Sequence, residues 1–401
     1  MAHILSYGSL NLDLVYQVPH FVQAGETLSS TSRTVHCGGK GLNQSIAAAR
    51  AGGTVSHAGK IGGDGTVLTD ILRESGVDTD FVTVGDGPSG HAVIQVDPSG
   101  QNCILLFGGC NQEITHEEID RVLAHFQAGD YLILQNEING LDYLMTQAAR
   151  RGLRIVFNPS PIDESISRLP LGEAWLLIFN EIEGAALAGC DDEEGILNTL
   201  RQRWPRCRLL LTLGSHGCVY DNGQRRLRQS IYQAETVDTT AAGDTFTGYF
   251  VACMAAGRSE EECLDLASRA AAIAVSRPGA APSIPTMDEV QEQVRQMLEM
   301  AKAEAAKIVA QAKESVGMDP QLEEKRKADL ARGEEYVEVK LFKDNGRYKD
   351  PVFVAVNGEN CVIERGVRVK IKRKFAEVLD NSDNQDYETS RLMDAKSEEF
   401  N

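Results

Sequence analysis

The stretch Val237-Asp238-Thr239-Thr240-Ala241-Ala242-Gly243-Asp244-Thr245-Phe246-Thr247-Gly248 joins three residues with almost no side chain, a carboxylate and the start of an apolar, helix-compatible run. The first N–H groups of a helix have no partner within the helix, and the helix dipole places about half a positive charge at that end. The small residues Ala241, Ala242 and Gly243 would leave these N–H groups open to a phosphate-sized anion. The stretch therefore predicts an anion site at a helix N-terminus.

Asp244 lies at the mouth of this predicted anion site. Its carboxylate can accept a proton from an attacking hydroxyl while the neighbouring amides stabilise the charge that builds on a transferred phosphoryl group. The same pattern also fits a simpler role, because Asp is a common helix cap. From this stretch alone, general base and helix cap are equally good interpretations.

Two polar segments near the N-terminus extend the prediction. Gly8 to Asp13 follows a β-like run from His3 to Tyr7, and Gly38 to Gln44 opens an Ala-rich helix from Ser45 to Ala51. Open α/β sheets bind ligands at the carboxyl ends of their strands, and Asn, Asp and Lys side chains can hydrogen-bond several hydroxyls of one molecule. These segments predict a site for a polyhydroxylated ligand, although their Asn, Asp and Gly residues also fit ordinary turns.

Four ordered motifs resemble those of the ribokinase family of carbohydrate kinases: Gly-Ser-Leu-Asn-Leu-Asp (8–13), Gly-Glu-Thr (25–27), Gly-Gly-Lys-Gly-Leu-Asn-Gln (38–44) and Asp-Thr-Thr-Ala-Ala-Gly-Asp-Thr-Phe (238–246). The resemblance covers roughly residues 1–295. It implies an α/β fold, a doubly wound and mostly parallel sheet with a small β lid. It also implies transfer of the γ-phosphoryl group of ATP to the primary hydroxyl of a sugar.

The resemblance assigns roles to individual residues. Asp244 would deprotonate the sugar hydroxyl, and the amides of Ala241, Ala242 and Gly243 would stabilise the γ-phosphoryl group. The implied sugar-binding residues are Asn11, Asp13, Gly39, Lys40, Asn43, Glu137 and Asp244 itself. The implied nucleotide-binding residues are Asn180, Thr212, Gly214, Gly217 and Gly243.

Two metal ions also follow from the resemblance. Mg²⁺ would bridge the ATP phosphates, with Glu183 acting on it indirectly. A monovalent cation, K⁺ or Na⁺, would be held by carboxylate and carbonyl oxygens, which suit a hard ion; the implied positions are Asp238, Thr240, Ala274, Gly279 and Ser283. Taken singly, these segments also fit structural roles: a helix cap at Asn180–Glu183, a hairpin turn at Gly214–Gly217 and a plain loop at 279–282.

The identity of the sugar is less sharply indicated. Lys40 and Gln44 favour the ribose-phosphorylating branch of the family over the fructokinase and nucleoside kinase branches, whereas Thr247 and Leu42 depart from the residues common there. The alternatives are a kinase for deoxyribose, a fructose-like sugar or a nucleoside. A further alternative is a non-catalytic kinase-fold scaffold whose C-terminal module mediates assembly.

Composition is typical of a cytoplasmic enzyme. The chain has 401 residues, of which 42% are hydrophobic, a formal net charge of -18 and no apolar run of 18 residues, so neither a membrane span nor a signal peptide is expected. The nine cysteines form no Cys-x-x-Cys pair and are expected to be reduced thiols. The acidic balance disfavours broad nucleic-acid binding.

Short apolar runs alternate with helical patterns over residues 1–292, the predicted kinase domain. Arg154 to Phe157, Trp175 to Phe179 and Arg208 to Leu213 are the pattern of buried parallel strands. Strands of alternating polarity near 13–36 and 91–107 would form the lid, which in this family often provides a homodimer interface.

The last hundred residues continue beyond the resemblance to the kinase family. Residues 293–335 are expected to be a helical, charged linker, with an apolar heptad seam followed by a flexible connector from Met318 to Glu334. A small β-rich domain of unknown role and partner is expected over 336–380, and a disordered tail over 381–401. The expected elements of the small β-rich domain are strands at Tyr336–Phe342, Pro351–Val356 and Cys361–Ile371, an Asn357-Gly358 hairpin turn and a closing helix at Lys372–Leu379.

The alternating basic residues from Arg365 to Lys372 would lie on one strand face. Such a face can bind an anion or a nucleic acid, but a solvated strand face is the simpler interpretation. Residues 337–381 weakly resemble small phage structural proteins, without a diagnostic motif. The chain would then be an unusual fusion of two unrelated parts.

Overall fold

The chain divides into two units, residues 1–297 and 298–401. The computed structural model describes residues 2–315, 320–341, 351–357 and 359–381, with the side chains of residues 310–323 and 326 excepted. The expected disordered tail lies outside the described residues, except for Asn381.

A nine-stranded sheet forms the centre of the first unit. Its strands carry unbroken apolar runs, which favour burial on both faces. In spatial order they are β13 (Arg226–Gln229), β12 (Cys218–Asp221), β11 (Arg208–Thr212), β10 (Leu176–Asn180), β9 (Arg154–Asn158), β8 (Tyr131–Gln135), β1 (Ile4–Tyr7), β4 (Val55–Ile61) and β5 (Asp78–Val84). The seven strands from β11 to β5 run parallel, and β12 and β13 are antiparallel additions.

Helices cover both faces of this sheet. Ile4 of β1 belongs to one apolar cluster and its neighbour Leu5 to the other, because successive side chains of a strand point to opposite faces. The first cluster packs against α1 (Lys40–Arg50), α2 (Thr66–Glu74), α7 (Ala242–Ala255) and α8 (Glu260–Val275). The second packs against α3 (His116–Leu123), α4 (Leu141–Arg150), α5 (Glu181–Ala188) and α6 (Glu193–Arg203). The predicted doubly wound α/β fold is confirmed.

A separate four-stranded sheet corresponds to the predicted lid. Its strands, in spatial order, are β3 (Ser32–Gly38), β2 (Asn11–Gln17), β6 (Gly90–Val96) and β7 (Asn102–Phe107). Only residues 8–10 separate β1 of the central sheet from β2 of the lid. The edge strand β7 is exposed along its whole length, and Leu105 retains 71% of its accessible surface.

Short 3₁₀ helices complete the first unit at Gly109–Gln112, Glu164–Arg168, Leu171–Glu173, Gly214–His216 and Ala281–Ser283. All nine cysteines are free. Among the described residues, no helix combines the length and the apolar character that crossing a bilayer requires.

The boundary between the units falls within α9 (Met287–Ser315), and α10 (Pro320–Glu334) follows. The second unit also holds two antiparallel strand pairs and a helix over residues 373–381. The pairs are β14 (Tyr336–Val339) with β17 (Val369–Lys372) and β15 (Val352–Val356) with β16 (Glu359–Ile363). Its small core consists of Val354, Ile363, Ile371, Phe375 and Ala376.

Two expectations for this unit were wrong. Residues 320–334 form a helix rather than a flexible connector, since Leu, Ala, Glu, Lys and Arg are strong helix formers and Pro320 occupies the favoured first position. The single strand expected at Cys361–Ile371 is two strands, because Gly366 turns the chain with φ +87° and donates its N–H to the Leu341 carbonyl. In the hairpin, Val356 pairs with Glu359; Gly358 and Phe342 lie outside the described residues.

Ion pairs neutralise much of the basic stretch in this unit. Arg368 pairs with Glu338, while Lys372 and Lys374 each contact both Glu334 and Glu359. Charges engaged in this way are less available to an anionic partner. The structure therefore favours the simpler interpretation of a solvated strand face.

Candidate active site

Two glycine-rich turns pack against each other, backbone on backbone, at the carboxyl end of β1. Gly39 adopts φ +96° before α1, and a Cβ there would lie 3.0 Å from the Ser9 carbonyl oxygen. A Cβ on Gly41 would lie 2.4 Å from the Ser9 amide nitrogen. Only glycine fits such a close approach, which is why the two polar segments predicted from sequence meet in space.

Polar side chains surround this contact. Asn11 and Asp13 lie in β2, so the ordinary-turn interpretation of these residues was wrong. Asp13 covers Gly38, where a Cβ would lie 2.0 Å from its Oδ2 atom. Glu137, two residues after β8, accepts hydrogen bonds from the Ser9 hydroxyl and, at 3.2 Å, from the Lys40 backbone N–H. The structure thus brings together the sugar-binding residues predicted on three separate segments.

The charges of this cluster act on one another. Burial, together with the charge of Glu137, raises the pKa of Asp13 from 3.8 to about 7. Burial also raises the pKa of Glu137, although Lys40 and the Ser9 hydroxyl oppose that shift. Burial alone would lower the pKa of Lys40, but the neighbouring carboxylates outweigh it and raise that pKa; they are Asp244, Glu137 and Glu183. The cluster combines four carboxylates with one lysine ammonium group.

The start of α7 has the form predicted for an anion site. Ala241 precedes the helix in the left-handed region with φ 60°, an unusual conformation for a residue with a side chain, and no side chain caps the first turn. A Cβ on Gly243 would meet no heavy atom within 4 Å. One of the three amides is already engaged, because the Ala242 N–H donates to the Thr239 carbonyl at 3.3 Å.

Asp244 is buried and does not cap its helix. Its Oδ2 atom accepts a hydrogen bond from Asn43 Nδ2 at 3.2 Å, and its Oδ1 atom accepts one from Gln44 Nε2 at 2.9 Å. The helix-cap interpretation was therefore wrong. The carboxylate is instead held between α7 and α1, beside a predicted sugar-binding residue.

Gly248 allows α7 and α1 to approach this closely. It lies one turn after Asp244, and a Cβ there would be 2.5 Å from Ala47 Cβ, 2.6 Å from the Gln44 carbonyl oxygen and 2.7 Å from the Ala48 amide nitrogen. The crossing of the two helices therefore depends on a missing side chain.

A cavity of about 790 Å³ opens on the other side of the α7 N-terminus. The predicted nucleotide-binding residues Thr212, Gly214 and Gly217 line it, together with Ala242 and Gly243. The expected hairpin turn is also present, because β11 and β12 pair antiparallel around Gly214–Gly217. Turn and binding roles are thus compatible at these residues. Apolar lining, which suits a flat heterocycle, comes from Ile231, Phe246, Ala271, Ala272 and Val275.

Asn180 and Glu183 form a capping box at the start of α5. Asn180 Oδ1 accepts the Glu183 N–H at 2.9 Å, and Glu183 Oε2 accepts the Asn180 N–H at 3.0 Å. The helix cap expected as the alternative role of Asn180–Glu183 is therefore present. Asn180 does not line the cavity. Glu183 is buried, and its charge acts on Lys40. Among the described residues, no cluster of three His, Cys, Asp or Glu side chains forms a metal site.

Asp238 ties together the two segments predicted to hold a monovalent cation. Its Oδ1 atom accepts hydrogen bonds from the Thr240 N–H and hydroxyl, and its Oδ2 atom accepts the Gly279 N–H at 2.9 Å. Burial opposes ionisation here, but these hydrogen bonds prevail and lower the pKa of Asp238. Ser283 donates its hydroxyl to Ala280, and the buried Ala274 accepts the Arg277 N–H. These contacts hold the two predicted segments together at a carboxylate, the kind of ligand that suits a hard monovalent cation.

Two further residues of the candidate site, Asn111 and Gln135, were not predicted from the sequence. Asn111, in a 3₁₀ helix, is almost fully buried and hydrogen-bonds Asn11 Oδ1 at 2.8 Å and the Leu10 N–H at 3.0 Å. Gln135 ends β8 and donates to Gln44 at 2.7 Å. The one available signal was a polar residue closing an apolar strand, at the edge where parallel sheets bind ligands.

Comparison with known proteins agrees with this geometry. Residues 1–287 match the model of the pfkB family carbohydrate kinases. The ribokinase of Haemophilus influenzae is 33% identical over 299 residues, which cover 71% of this chain and 96% of that protein. The crystal structure of ribokinase from Cryptococcus neoformans var. grubii, in complex with ADP, superimposes with a TM-score of 0.63 at 34% identity, covering 73% of this chain and all of that one.

The structure of Arabidopsis thaliana ribokinase complexed with ribose and ATP gives a TM-score of 0.65 at 29% identity, covering 73% of this chain and 98% of that one. The residues that the family model matches, 1–287, lie in the first unit. The chain therefore belongs to the pfkB family of carbohydrate kinases, as a ribokinase-like enzyme.

Proposed function

We propose that this enzyme transfers the γ-phosphoryl group of ATP to the primary hydroxyl of D-ribose, giving D-ribose 5-phosphate and ADP. One observation carries the proposal. Asp244 is held by Asn43 at the edge of the polar pocket, while its neighbour Gly243 lines the cavity with Thr212 and Gly214. A hydroxyl in the pocket and a phosphate in the cavity would therefore meet at the N-terminus of α7.

In the proposed reaction, Asp244 accepts the proton of the attacking hydroxyl as the new O–P bond forms and the bond to ADP breaks. The amides of residues 241–243 would stabilise the negative charge on the transferred group, and that of Ala242 would exchange its bond to the Thr239 carbonyl for one to the phosphoryl group. The sugar would be oriented by donors and acceptors around the glycine turns: Asn11, Asp13, Gly39, Lys40, Asn43 and Glu137. Ribose is the substrate that we favour, because the match covers 96% of the Haemophilus influenzae ribokinase and 98% of the Arabidopsis thaliana ribokinase, which was solved with ribose and ATP.

The nucleotide would occupy the cavity, with Thr212, Gly214, Gly217 and Gly243 beside it. Bound Mg²⁺ would supply charge neutralisation on the phosphates; Glu183 is the candidate for acting on it, and Asn180 keeps that side chain in place. K⁺ would bind at Asp238, Thr240, Ala274, Gly279 and Ser283. There it would stabilise the loop that leads into the anion site.

The lid supports a further proposal, a homodimer formed through its exposed edge strand β7. Four consecutive large apolar side chains of β7, Ile104 to Phe107, are between 47% and 71% exposed. An exposed apolar edge strand tends to associate unless it is covered, and a second copy of the same lid provides matching apolar surface. A cytoplasmic location fits the reduced cysteines and remains a prediction.

The test is release of ADP from ATP and Mg²⁺ with ribose, deoxyribose, fructose or nucleosides, with and without K⁺. We expect ribose-dependent turnover that K⁺ stimulates. Turnover with another compound of the panel would assign that substrate instead. Silence across the panel would favour the scaffold interpretation, in which the C-terminal unit carries the biological role.

Asp244→Asn tests the assigned base. The amide keeps the shape of the side chain but cannot accept the proton, so we expect turnover to fall by roughly 10²- to 10⁴-fold while ATP binding persists. Asp142→Asn, an exposed Asp in the first turn of α4, is the matched control. Near-normal turnover of Asp244→Asn would show that another group is the base.

A further inference from the structure

Two glutamines form a hydrogen-bonded chain that ends on the carboxylate of Asp244. Gln135 Nε2 donates to Gln44 Oε1 at 2.7 Å, and Gln44 Nε2 donates to Asp244 Oδ1 at 2.9 Å. Both glutamines are completely buried. These hydrogen bonds link the end of β8 to α1 and α1 to α7. The position of the Asp244 carboxylate therefore depends on all three elements.

The direction of this chain fixes which end of the Gln44 amide faces Asp244. A primary amide has one donor end and one acceptor end. Because Gln135 donates to Oε1, the Nε2 end of Gln44 is left for the carboxylate. A reversed Gln44 amide would place its oxygen against a carboxylate oxygen of Asp244 and its NH₂ group against the NH₂ donor of Gln135, which is unfavourable at both ends.

Close packing against Gly8, rather than a second hydrogen bond, holds the Gln135 side chain in place. Within the described part of the chain, its buried Oε1 atom accepts no hydrogen bond. That atom lies where a Cβ on Gly8 would be, at 2.2 Å. A buried acceptor without a partner destabilises the fold, so a purely structural role does not account for this amide.

Asn43 completes the arrangement by donating to Asp244 Oδ2 at 3.2 Å. With one amide on each oxygen, the carboxylate plane cannot rotate without breaking a hydrogen bond. The charged groups that act on Asp244 are Lys40 from α1 and Glu137 from the segment after β8. Within the described residues, the hydrogen bonds to the oxygens of Asp244 come from these two amides, which hold the carboxylate in its orientation.

We propose that Gln44 is a positioning residue for Asp244 and that Gln135 acts only by orienting Gln44. This inference rests on the proposed role of Asp244 as the base. A general base must be aligned with the hydroxyl it deprotonates, and a displacement of about 1 Å can cost on the order of 10²-fold in rate. Gln44 would therefore affect the chemical step rather than the binding of the sugar.

The first test is Gln44→Met, which keeps the length of the side chain and removes both hydrogen bonds. We expect kcat to fall on the order of 10- to 100-fold, with KM for ribose within about twofold, because the lost interaction is needed only in the transition state. Ser45→Ala is the matched control. It removes a buried hydroxyl from the next position of α1 that bonds Gly41 and His57 instead, and it should leave both constants unchanged.

The second test is a double-mutant cycle with Gln135→Met. We expect this single variant to lower kcat by roughly 3- to 10-fold, and the double variant to be no slower than Gln44→Met alone. Effects that multiply would overturn the role given to Gln135. A Gln44→Met enzyme with normal kcat, or with a loss confined to KM, would overturn the role given to Gln44.

Experiment can separate the base role of Asp244 from the positioning role of Gln44. If Asp244→Asn is inactive but Gln44→Met is normal, only the positioning role is wrong. If Asp244→Asn remains active, the base assignment is wrong and the positioning role falls with it. Should Gln44→Met not fold, Gln135→Met decides alone: a lower kcat at constant KM supports the inference, and a normal kcat overturns it.

Discussion

Gly248→Ala is expected to damage both the stability and the activity of the kinase unit. The new Cβ would lie 2.6 Å from the Gln44 carbonyl oxygen and 2.7 Å from the Ala48 amide nitrogen. Both are main-chain atoms of α1, so no side-chain rotation can relieve the contact. Ordinary contact begins at 3.4 Å, so relieving the 2.6 Å contact to 3.4 Å requires the helices to separate locally by 0.8 Å.

The energetic terms have opposite signs. Replacing Gly by Ala in a helix interior gains about 1 kcal/mol of helix propensity. Overpacking a well-filled core costs about 1–3 kcal/mol, and immobile backbone neighbours place this site at the upper end. We expect a net loss of about 1–2 kcal/mol, which corresponds to a fall in Tm of roughly 2–8 °C.

The same separation reaches the active site. Adding 0.8 Å to the 2.9 Å between Gln44 Nε2 and Asp244 Oδ1 gives 3.7 Å, beyond hydrogen-bonding distance. We expect kcat to fall on the order of tenfold or more. Thermal unfolding and ADP release measure the two effects. Gly63→Ala is the control, because a Cβ at this exposed glycine meets no atom within 4 Å. A raised Tm with unchanged kcat would show that neither the packing of α7 on α1 nor the position of Asp244 depends on this glycine.

Two further predictions concern the sugar pocket and the lid. Burial and the charge of Glu137 raise the pKa of Asp13 to about 7, so its ionisation stabilises the unfolded chain: the cost to folding is absent below the ordinary value of 3.8 and complete above about 7. Asp13→Asn should therefore raise Tm more at pH 8 than at pH 5, and an equal change at both pH values would contradict this. Leu105→Glu should shift a lid-mediated dimer toward monomer in light scattering, whereas Val67→Glu, at an exposed position of α2, should not; an unchanged mass of the Leu105 variant would remove the lid interface.

The sequence predicted structure best in segments whose local pattern alone indicates where they lie in the fold. The run Arg208–Thr212 is apolar at each central position, because both faces of its strand are buried, and its identification needed no knowledge of its neighbours. The glycines at 38, 39 and 41 likewise indicate backbone contact, although the partner at Ser9 became visible only in the structure.

Residues that act at a distance along the chain gave no such signal. Asn111 and Gln135 are single polar residues whose importance comes from partners about a hundred positions away. Asp244 was ambiguous for the same reason, since its two hydrogen-bond donors belong to α1. In residues 320–334, high charge was interpreted as flexibility, but the composition is equally that of a solvated helix. Charge density alone does not separate the two.

The short link between β1 and β2 has a thermodynamic consequence. Asn11 and Asp13 are part of a lid strand, and Gly38 ends another, so part of the proposed sugar pocket moves whenever the lid moves. Sugar affinity and lid position are then linked functions. By reciprocity, anything that restrains the lid, including its association with a second copy, changes the dissociation constant of the sugar by the same factor by which the sugar changes that restraint.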